Sequence, residues 1–246
     1  MQTYIRVQTA GDVFRNAARL YLGHFRVFFL AYLIPMAPIV FLATGCIDGD
    51  HPTRASLPML GLWTALAYVM TIPVMAIISD ICLGNAPGVR RSYRYIFGRM
   101  SGTVVPALLV VGLLTAAGFA LLVIPGLFVM TRLMMVAPAV VLERRPMVAA
   151  FKRSMDLGRG YYARNLFVAL LAYALTMVGG TVLTMTVTLL LTKGAGLSWN
   201  VSLRAGELAA LIFGPFSPAV IVLIYYDMRA RKEAYDSAKL AEDLHR

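Results

Sequence analysis

Long apolar stretches separated by short basic segments dominate the pattern along the chain. There are six such stretches, at residues 25–44, 57–83, 103–124, 127–142, 166–191 and 208–226. An α-helix rises 1.5 Å per residue, so about 20 apolar residues cross the hydrocarbon core of a bilayer. Five of the stretches reach roughly that length. The pattern therefore predicts an all-α, polytopic membrane protein with six transmembrane helices.

The fourth stretch, 127–142, is the short one, and it follows Pro125-Gly126 directly. Because Pro-Gly pairs mark turns, we predict that the third and fourth stretches form a hairpin that turns at this pair. The hairpin either crosses the bilayer as two full spans or is recessed into one side of it. Its two ends face the same side in both cases, so the predicted topology does not depend on the choice.

Composition supports a membrane protein and excludes most soluble classes. Hydrophobic residues make up 59% of the chain, charged residues 14%, and the mean hydropathy is +0.73. Soluble chains average about 25% charged residues, so a soluble enzyme and a disordered chain are both excluded. The net charge is +11, but the Lys and Arg residues form short clusters between apolar stretches. Since nucleic-acid binding needs a polar domain with a basic face, we predict no nucleic-acid partner.

The distribution of basic residues predicts the orientation of the spans. If the N-terminus is cytoplasmic, the inner segments are 1–26, 85–101, 143–164 and 227–246, and these contain all but four of the 23 Lys and Arg residues. Cytoplasmic loops of membrane proteins carry an excess of Lys and Arg. We therefore predict that both termini are cytoplasmic.

Three inner segments have the spacing of amphipathic helices. One follows a cap-like Thr9–Asp12 pattern, one covers residues 89–100, and one begins at Pro146. We predict that these are interfacial helices on the anionic inner leaflet. The single membrane domain, 1–246, then divides into the repeat units 9–86, 87–144 and 145–228, followed by a cytoplasmic C-terminal helix at 229–246. Such repeats are typical of transport folds, but a duplicated scaffold gives the same pattern.

An intramembrane polar site is the first candidate for function. Arg132 lies inside an apolar stretch, where a charge is costly, and Glu207 enters the last stretch from the same predicted side. The two could form a buried pair that binds an anionic ligand or a coupling ion, or they could be a structural clamp or snorkel to the surface. A stripe on the fifth span, formed by Thr181, Thr184 and Thr188, could line a pathway, or it could form hydrogen bonds within and between helices.

A cytoplasmic cluster is the second candidate. Asp80, Glu143 and Asp227 each end a returning span, close to the basic helices. The acids could neutralise nearby arginines, with Arg90, Arg144 and Arg229 as the expected partners. Alternatively, the acids and the basic helices could form a polar vestibule that recognises lipid headgroups or a partner. The cluster predicted on this basis consists of Asp80, Glu143, Asp227, Arg90, Arg91 and Arg153.

Motifs for catalysis and for metal or cofactor binding are absent from the sequence. We find no Gly-x-Ser-x-Gly elbow, Walker loop, His-Glu-x-x-His or Cys-x-x-Cys motif, and the three histidines are scattered. We therefore predict no catalytic residues, no metal and no cofactor. A membrane enzyme without a recognisable motif is a remaining alternative.

Two segments carry a resemblance to a known family. The first contains Ile-Pro-Gly-Leu at 124–127, Arg132, Val-Val-Leu-Glu at 140–143 and Ala-Phe-Lys-Arg-Ser at 150–154, and the second contains Tyr-Tyr-Asp-Met-Arg at 225–229 followed by Arg-Lys-Glu at 231–233. The chain resembles the YciC-like multi-pass bacterial inner-membrane proteins and the related membrane domain fused to some glycerophosphodiester phosphodiesterases. The resemblance implies a bacterial inner membrane and work near phospholipids. These residues include no phosphodiesterase domain, so we do not expect the hydrolytic activity.

The expected function combines these features. We expect a non-enzymatic, lipid-facing module that supports membrane or envelope organisation. Its partners would be the anionic phospholipids of the inner leaflet and an unidentified protein. The main alternative is a transporter of a lipid or small amphiphile, with its site at Arg132 and Glu207.

Overall fold

The computed structural model describes residues 4–45, 71–99, 101–143 and 145–245. Within these ranges the protein contains helices and no strand, so the predicted all-α class is confirmed there. The α-helices are α1 (Ala10–Gly23), α2 (Phe25–Gly45), α3 (Thr71–Cys82), α4 (Val89–Arg99), α5 (Ser101–Leu121), α6 (Val123–Leu133), α7 (Val136–Val141), α8 (Met147–Gly158), α9 (Tyr162–Gly194), α10 (Trp199–Ala210), α11 (Phe216–Glu233) and α12 (Ser237–His245). A 3₁₀ turn, Leu211–Phe213, joins α10 to α11.

Several helical stretches are long and apolar enough to cross a membrane. In the described part of the chain these are Val123–Val141, Tyr162–Gly194 and Trp199–Glu233. A fourth is obtained if α1 and the first part of α2, which meet at an angle of 86°, count as one broken span. Residues 57–70 of the predicted second span lie outside the described residues. The described part of the chain is therefore all-helical, with three or four helices that are able to span a membrane.

Helix α11 forms the centre of the bundle. Its residues from Phe216 to Arg229 are all buried, and it packs against α1, α3, α8 and α9. The sequence is consistent with this position, because Ala219 to Tyr226 is apolar on every face, and a helix that is hydrophobic all round lies in a protein core or in a membrane. The charged residues at the end of α11 are consequently surrounded by other helices.

Helix α1 packs along α11 inside the bundle. The Gln8 backbone N–H, just before α1, donates to Asp227 at 2.7 Å, while the Tyr21 hydroxyl near its end donates to the Ile212 carbonyl. The two helices therefore run antiparallel. The predicted cap is confirmed, because the Asp12 backbone N–H donates to the Thr9 hydroxyl at 3.1 Å. The apolar face of α1, which includes Val13, Ala17 and Leu20, is buried against other helices. The packing of α1 therefore does not support the predicted interfacial position.

The hairpin between α5 and α6 turns at Leu122, so the predicted turn at Pro125-Gly126 is wrong. Pro125 instead lies in the first turn of α6, where its missing N–H breaks no helical hydrogen bond. Gly126 allows the close contact between the two helices. A Cβ atom there would lie 2.9 Å from the Cα atom of Phe119.

Candidate functional site

The last two turns of α11 carry five charged residues, Asp227, Arg229, Arg231, Lys232 and Glu233. The surrounding helices supply partners for them. Within α11, Arg231 Nε donates to Asp227 at 3.0 Å and Arg229 Nε donates to Glu233 at 2.9 Å, each pair four residues apart. We call the whole group the α11 charge cluster. It consists of Glu143, Arg153, Arg164, Asp227, Arg229, Arg231, Glu233 and Asp243.

Asp227 is the most deeply buried member of the cluster, with a side chain that is 0% exposed. Arg164 of α9 donates to its Oδ2 atom at 2.7 Å, and the Oδ1 atom accepts from Arg231 and from the Gln8 backbone N–H. Both guanidinium groups also donate to the Gln8 carbonyl, at 2.8 and 2.6 Å. Asp227 therefore joins the N-terminal segment to α9 and α11. A buried charge that loses its partners is strongly destabilising, so this arrangement is stable only as a set.

Arg229 connects α11 to α12. The chain reverses at Ala234, whose φ of 48° lies in the left-handed region, and α12 then folds back along the end of α11. Arg229 Nη1 donates to Asp243 at 2.7 Å, and the guanidinium carbon lies 3.5 Å from the centroid of the Tyr235 ring. Burial raises the pKa of the Tyr235 hydroxyl, which donates to Asp243 and therefore stays protonated. The predicted single helix over 229–246 is thus replaced by the buried end of α11 and a separate α12.

Glu143 connects α7 and α8 to the same cluster. Its carboxylate accepts from Arg153 Nε and from the Tyr225 hydroxyl, both at 2.9 Å, and from Arg145 at 2.6 Å. Arg153 also forms an ion pair with Glu233. Arg153 therefore fixes the basic helix α8 to α11 through two carboxylates. One is Glu143, which also contacts Tyr225 of α11, and the other is Glu233 of α11 itself.

Asp80 lies at the end of α3 in a separate pair. Its carboxylate is 3.5 Å from Arg91 of α4, and both residues line a cavity of about 240 Å³. The neighbouring Ser79 hydroxyl is 2.8 Å from the Tyr226 hydroxyl, so this cavity lies beside the end of α11.

The structure therefore brings most of the predicted cytoplasmic cluster to one end of the bundle but changes its pairing. Asp80 pairs with Arg91, whereas Arg90 is exposed and forms no ion pair within the described ranges. Asp227 pairs with Arg164 and Arg231. The expected partner Arg229 instead pairs with Glu233 and Asp243. Glu143 pairs with Arg145 and Arg153, whereas its expected partner, Arg144, lies outside the described residues.

Arg132 and Glu207 do not come together, so the predicted intramembrane pair is wrong. Arg132 lies beside Tyr162, at the start of α9, with its guanidinium carbon 5.5 Å from the ring centroid. Glu207 lines a different cavity, of about 450 Å³, whose α9 wall runs from Thr176 to Met185. Thr176 and Met185 are 14 and 23 positions after Tyr162 in α9, which corresponds to roughly 21 and 35 Å along the helix.

The threonine stripe is divided between packing and this second cavity. Thr188 donates to the Thr184 carbonyl at 2.7 Å, and Thr184 donates to the Gly206 carbonyl on α10 at 3.3 Å. A Cβ on Gly206 would lie 2.5 Å from the Thr184 carbonyl oxygen, so α9 and α10 are in very close contact. Small residues that allow such contact are typical of helix pairs in membranes. Thr181 is exposed and lines the cavity of Glu207.

Sequence reasoning missed several members of the cluster, and it also missed the contact of the cluster with Gln8. Arg164 and Gln8 are distant in sequence from Asp227, and neither carries a local signal. The spacing of Asp243 from Lys239 fits an i,i+4 pair on a solvated helix, so it does not indicate a buried partner. The one available signal was the Tyr-Tyr-Asp-Met-Arg segment, because a charge that directly follows a fully apolar helix needs partners.

Comparison with known sequences places the chain in a family. The fold defines an all-helical protein with helices able to span a membrane. The chain belongs to the family described as "Domain of unknown function (DUF7847)", which matches residues 50–226. No curated protein and no solved structure matches the chain. The matched region ends at Tyr226, so Asp227 and the charged residues after it lie beyond it.

Proposed function

We propose that the protein is a non-enzymatic, multi-pass membrane module that binds anionic phospholipid at its cytoplasmic face and thereby supports membrane or envelope organisation. The proposal includes six spans, cytoplasmic termini, an inner-membrane location and kinship with the YciC-like proteins. The proposal also includes a protein partner that binds to the cytoplasmic face.

The observation that carries the proposal is the gathering of basic segments at one end of the bundle. Five segments meet at the α11 charge cluster or at the adjacent Asp80 cavity. They are the start of α1, the start of α4, the helix α8, the start of α9 and the end of α11. Carboxylates of the cluster hold Arg153 and Arg164, which supports a structural role for these two. Arg90, Arg94 and Lys152 remain exposed at the same end. A cytoplasmic leaflet attracts such residues by about 1 kcal/mol each.

The side surface of the bundle supports immersion in lipid. Large apolar residues of α9 are exposed along more than four turns, among them Phe167, Leu171, Leu175, Val178 and Val182. A water-soluble protein rarely exposes an apolar patch of this extent. We therefore propose that this face of α9 contacts acyl chains.

Lipid retention tests the proposed function. Protein extracted from vesicles of equal phosphatidylglycerol and phosphatidylcholine content is analysed by native mass spectrometry for the lipids that it retains. We expect phosphatidylglycerol to predominate, and the preference to fall when Arg90, Arg94 and Lys152 are changed to Gln. Lys193→Gln, at the other end of α9, is the control for a lost charge. Equal retention of both lipids by the wild type would contradict the proposal.

Accessibility of the termini tests the proposed orientation. Epitope tags at each terminus should be protected in intact spheroplasts and become reachable only after the membrane is permeabilised. A tag that is reachable from outside intact cells would contradict the proposed topology.

A second candidate is transport of a lipid or small amphiphile, and the cavity of about 450 Å³ supports it. This cavity joins the half-buried Glu207 to Tyr32 and Thr181 and is open to one side. A scrambling assay with fluorescent phosphatidylglycerol in proteoliposomes distinguishes the candidates. Transport predicts lipid movement that Glu207→Gln abolishes, whereas a scaffold predicts the same background as protein-free vesicles.

A further inference from the structure

We propose that the groove between α6 and the start of α9 binds one anionic phospholipid, with the lipid phosphate on Arg132 and an acyl chain along α6. The proposal rests on the proposed function, because it assigns a specific site to the lipid class named there. The site differs from the one predicted from sequence, which required Glu207.

The groove has an apolar wall and one charged group. Its volume is about 280 Å³, and its walls include Ile124, Leu127, Phe128 and Leu166. The other polar side chains of the groove already have partners. The Thr131 hydroxyl donates to the Leu127 carbonyl at 2.6 Å, and the Tyr162 hydroxyl donates to the Met155 carbonyl at 2.5 Å. Both hydroxyl hydrogens are therefore already used, and the guanidinium of Arg132 is the side-chain donor of the groove that is available to an anionic ligand.

Arg132 differs from the other half-buried arginines at this end of the bundle. Arg153 and Arg164 pair with carboxylates, whereas no carboxylate of the described residues forms an ion pair with Arg132. Its guanidinium carbon lies 4.1 Å from the centroid of the Phe128 ring. A ring face orients a cation but supplies no acceptor for its N–H groups. A phosphate would supply them, since a guanidinium binds phosphate through two parallel hydrogen bonds.

The position of Arg132 suits a lipid headgroup. Its carbonyl accepts from the Ser154 hydroxyl of α8 at 2.6 Å, so the residue lies directly beside the basic helix that carries the exposed Lys152. Headgroup phosphates are expected at the level of such a helix. The phosphate level and the position of Arg132 along α6 therefore coincide.

The apolar wall extends away from α8 along α6, as an acyl chain would. Ile124 is two turns before Arg132, roughly 12 Å along the helix axis. Ile124 is 80% exposed and Phe128 is 56% exposed, so the wall is open to the side of the bundle. A free anion gains nothing from such a wall, whereas a phospholipid covers it. This combination of one cation and an open apolar wall favours a phospholipid as the occupant.

The experiment compares site variants by native mass spectrometry during graded delipidation of protein from the mixed phosphatidylglycerol and phosphatidylcholine vesicles. Arg132→Gln should remove one tightly retained phosphatidylglycerol and weaken its binding by about 10- to 100-fold, the range for hydrogen bonds to a charged group. Arg132→Lys should give an intermediate loss, because a lysine keeps the charge but not the paired hydrogen bonds.

Two further variants make the outcome independent of the stability of Arg132→Gln. Ala163 is exposed and lines the groove, so Ala163→Phe should fill it and displace the same lipid while leaving the charge in place. Lys193→Gln removes an exposed charge at the other end of α9 and should leave the tightly retained lipid bound. Unchanged retention in both Arg132→Gln and Ala163→Phe would overturn the site.

Each result separates the site from the proposed function. If the wild type shows no preference for phosphatidylglycerol, the proposed function fails and the site fails with it. If the wild type shows the preference and the groove variants keep it, only the site fails. Displacement of the lipid by inorganic phosphate alone would identify a site for a free anion and would overturn the phospholipid assignment.

Discussion

Replacement of Asp227 by Asn should cause a large loss of stability. The side chain is 0% exposed, and its two oxygens accept from Arg164, Arg231 and the Gln8 backbone. Removing one partner from a buried ion pair typically costs about 3–5 kcal/mol. The side chains of Arg164 and Arg231 are 24% and 22% exposed, so water partly replaces the lost carboxylate. We therefore expect a loss of about 3 kcal/mol.

Thermal unfolding in detergent measures this effect. On the scale of domains of this size, 3 kcal/mol lowers Tm by roughly 6–12 °C. Asp156→Asn is the matched control, because Asp156 is an exposed aspartate at the same end of the bundle, and its Tm should change by less than about 2 °C.

A double-mutant cycle tests the cause of the loss. Arg164→Gln removes the partner of Asp227 on α9, so the double variant should be less destabilised than the sum of the two single variants, by about 1–3 kcal/mol. A Tm of Asp227→Asn close to that of Asp156→Asn, or strictly additive effects in the cycle, would refute the assignment of Asp227 as the centre of the cluster.

Three other predictions concern packing, the second carboxylate and pH. Gly206→Ala should lower the free energy of unfolding by about 1–3 kcal/mol, because it forces α9 and α10 apart. Gly180→Ala is the control and should not lower it, because its Cβ would lie 3.8 Å from the Cβ of Ala210, an ordinary contact distance. Equal thermal stabilities of the two variants would contradict the close contact at Gly206. Tyr225→Phe removes a hydroxyl that donates to Glu143 and should cost about 1.5–3 kcal/mol, and denaturation at the wild-type midpoint would count against it. Hydrogen bonds from the Thr9 hydroxyl and backbone, together with Arg15, lower the pKa of Asp12 from 3.8 to about 2. The contribution of the α1 cap is therefore present above pH 4 and is lost as the pH falls towards 2, and a carboxyl NMR titration with its midpoint near 4 would disprove this.

Two errors of sequence reasoning have a common physical origin. The expected Arg132–Glu207 pair requires that the turn before α6 and the turn before α10 lie at the same depth. The hairpin before α6 turns earlier than expected, and α9 has 33 residues, which is roughly 50 Å. The two turns therefore define different levels, and equal counts from them do not give equal depths. Turn positions and helix lengths depend on packing as well as on local sequence.

The sequence by itself determined the all-helical class of the protein and the end of the bundle at which charged residues need partners. Apolar stretches of about 20 residues allow only helices in a membrane, because every backbone polar group must be satisfied within its own segment. The position of Asp227 directly after a fully apolar run likewise indicated a charge at the end of a span. Both conclusions follow from properties of contiguous residues.

Only the tertiary structure decided which charges meet. Arg164 binds Asp227 and Arg153 binds Glu143 because α8, α9 and α11 converge, although Arg229 is nearer to Asp227 in sequence. Arg132 was left with an open groove because no acidic residue of a neighbouring helix reaches it within the described part of the chain. Ion pairs form over about 4 Å, a distance set by the packing of helices and not by their separation along the chain.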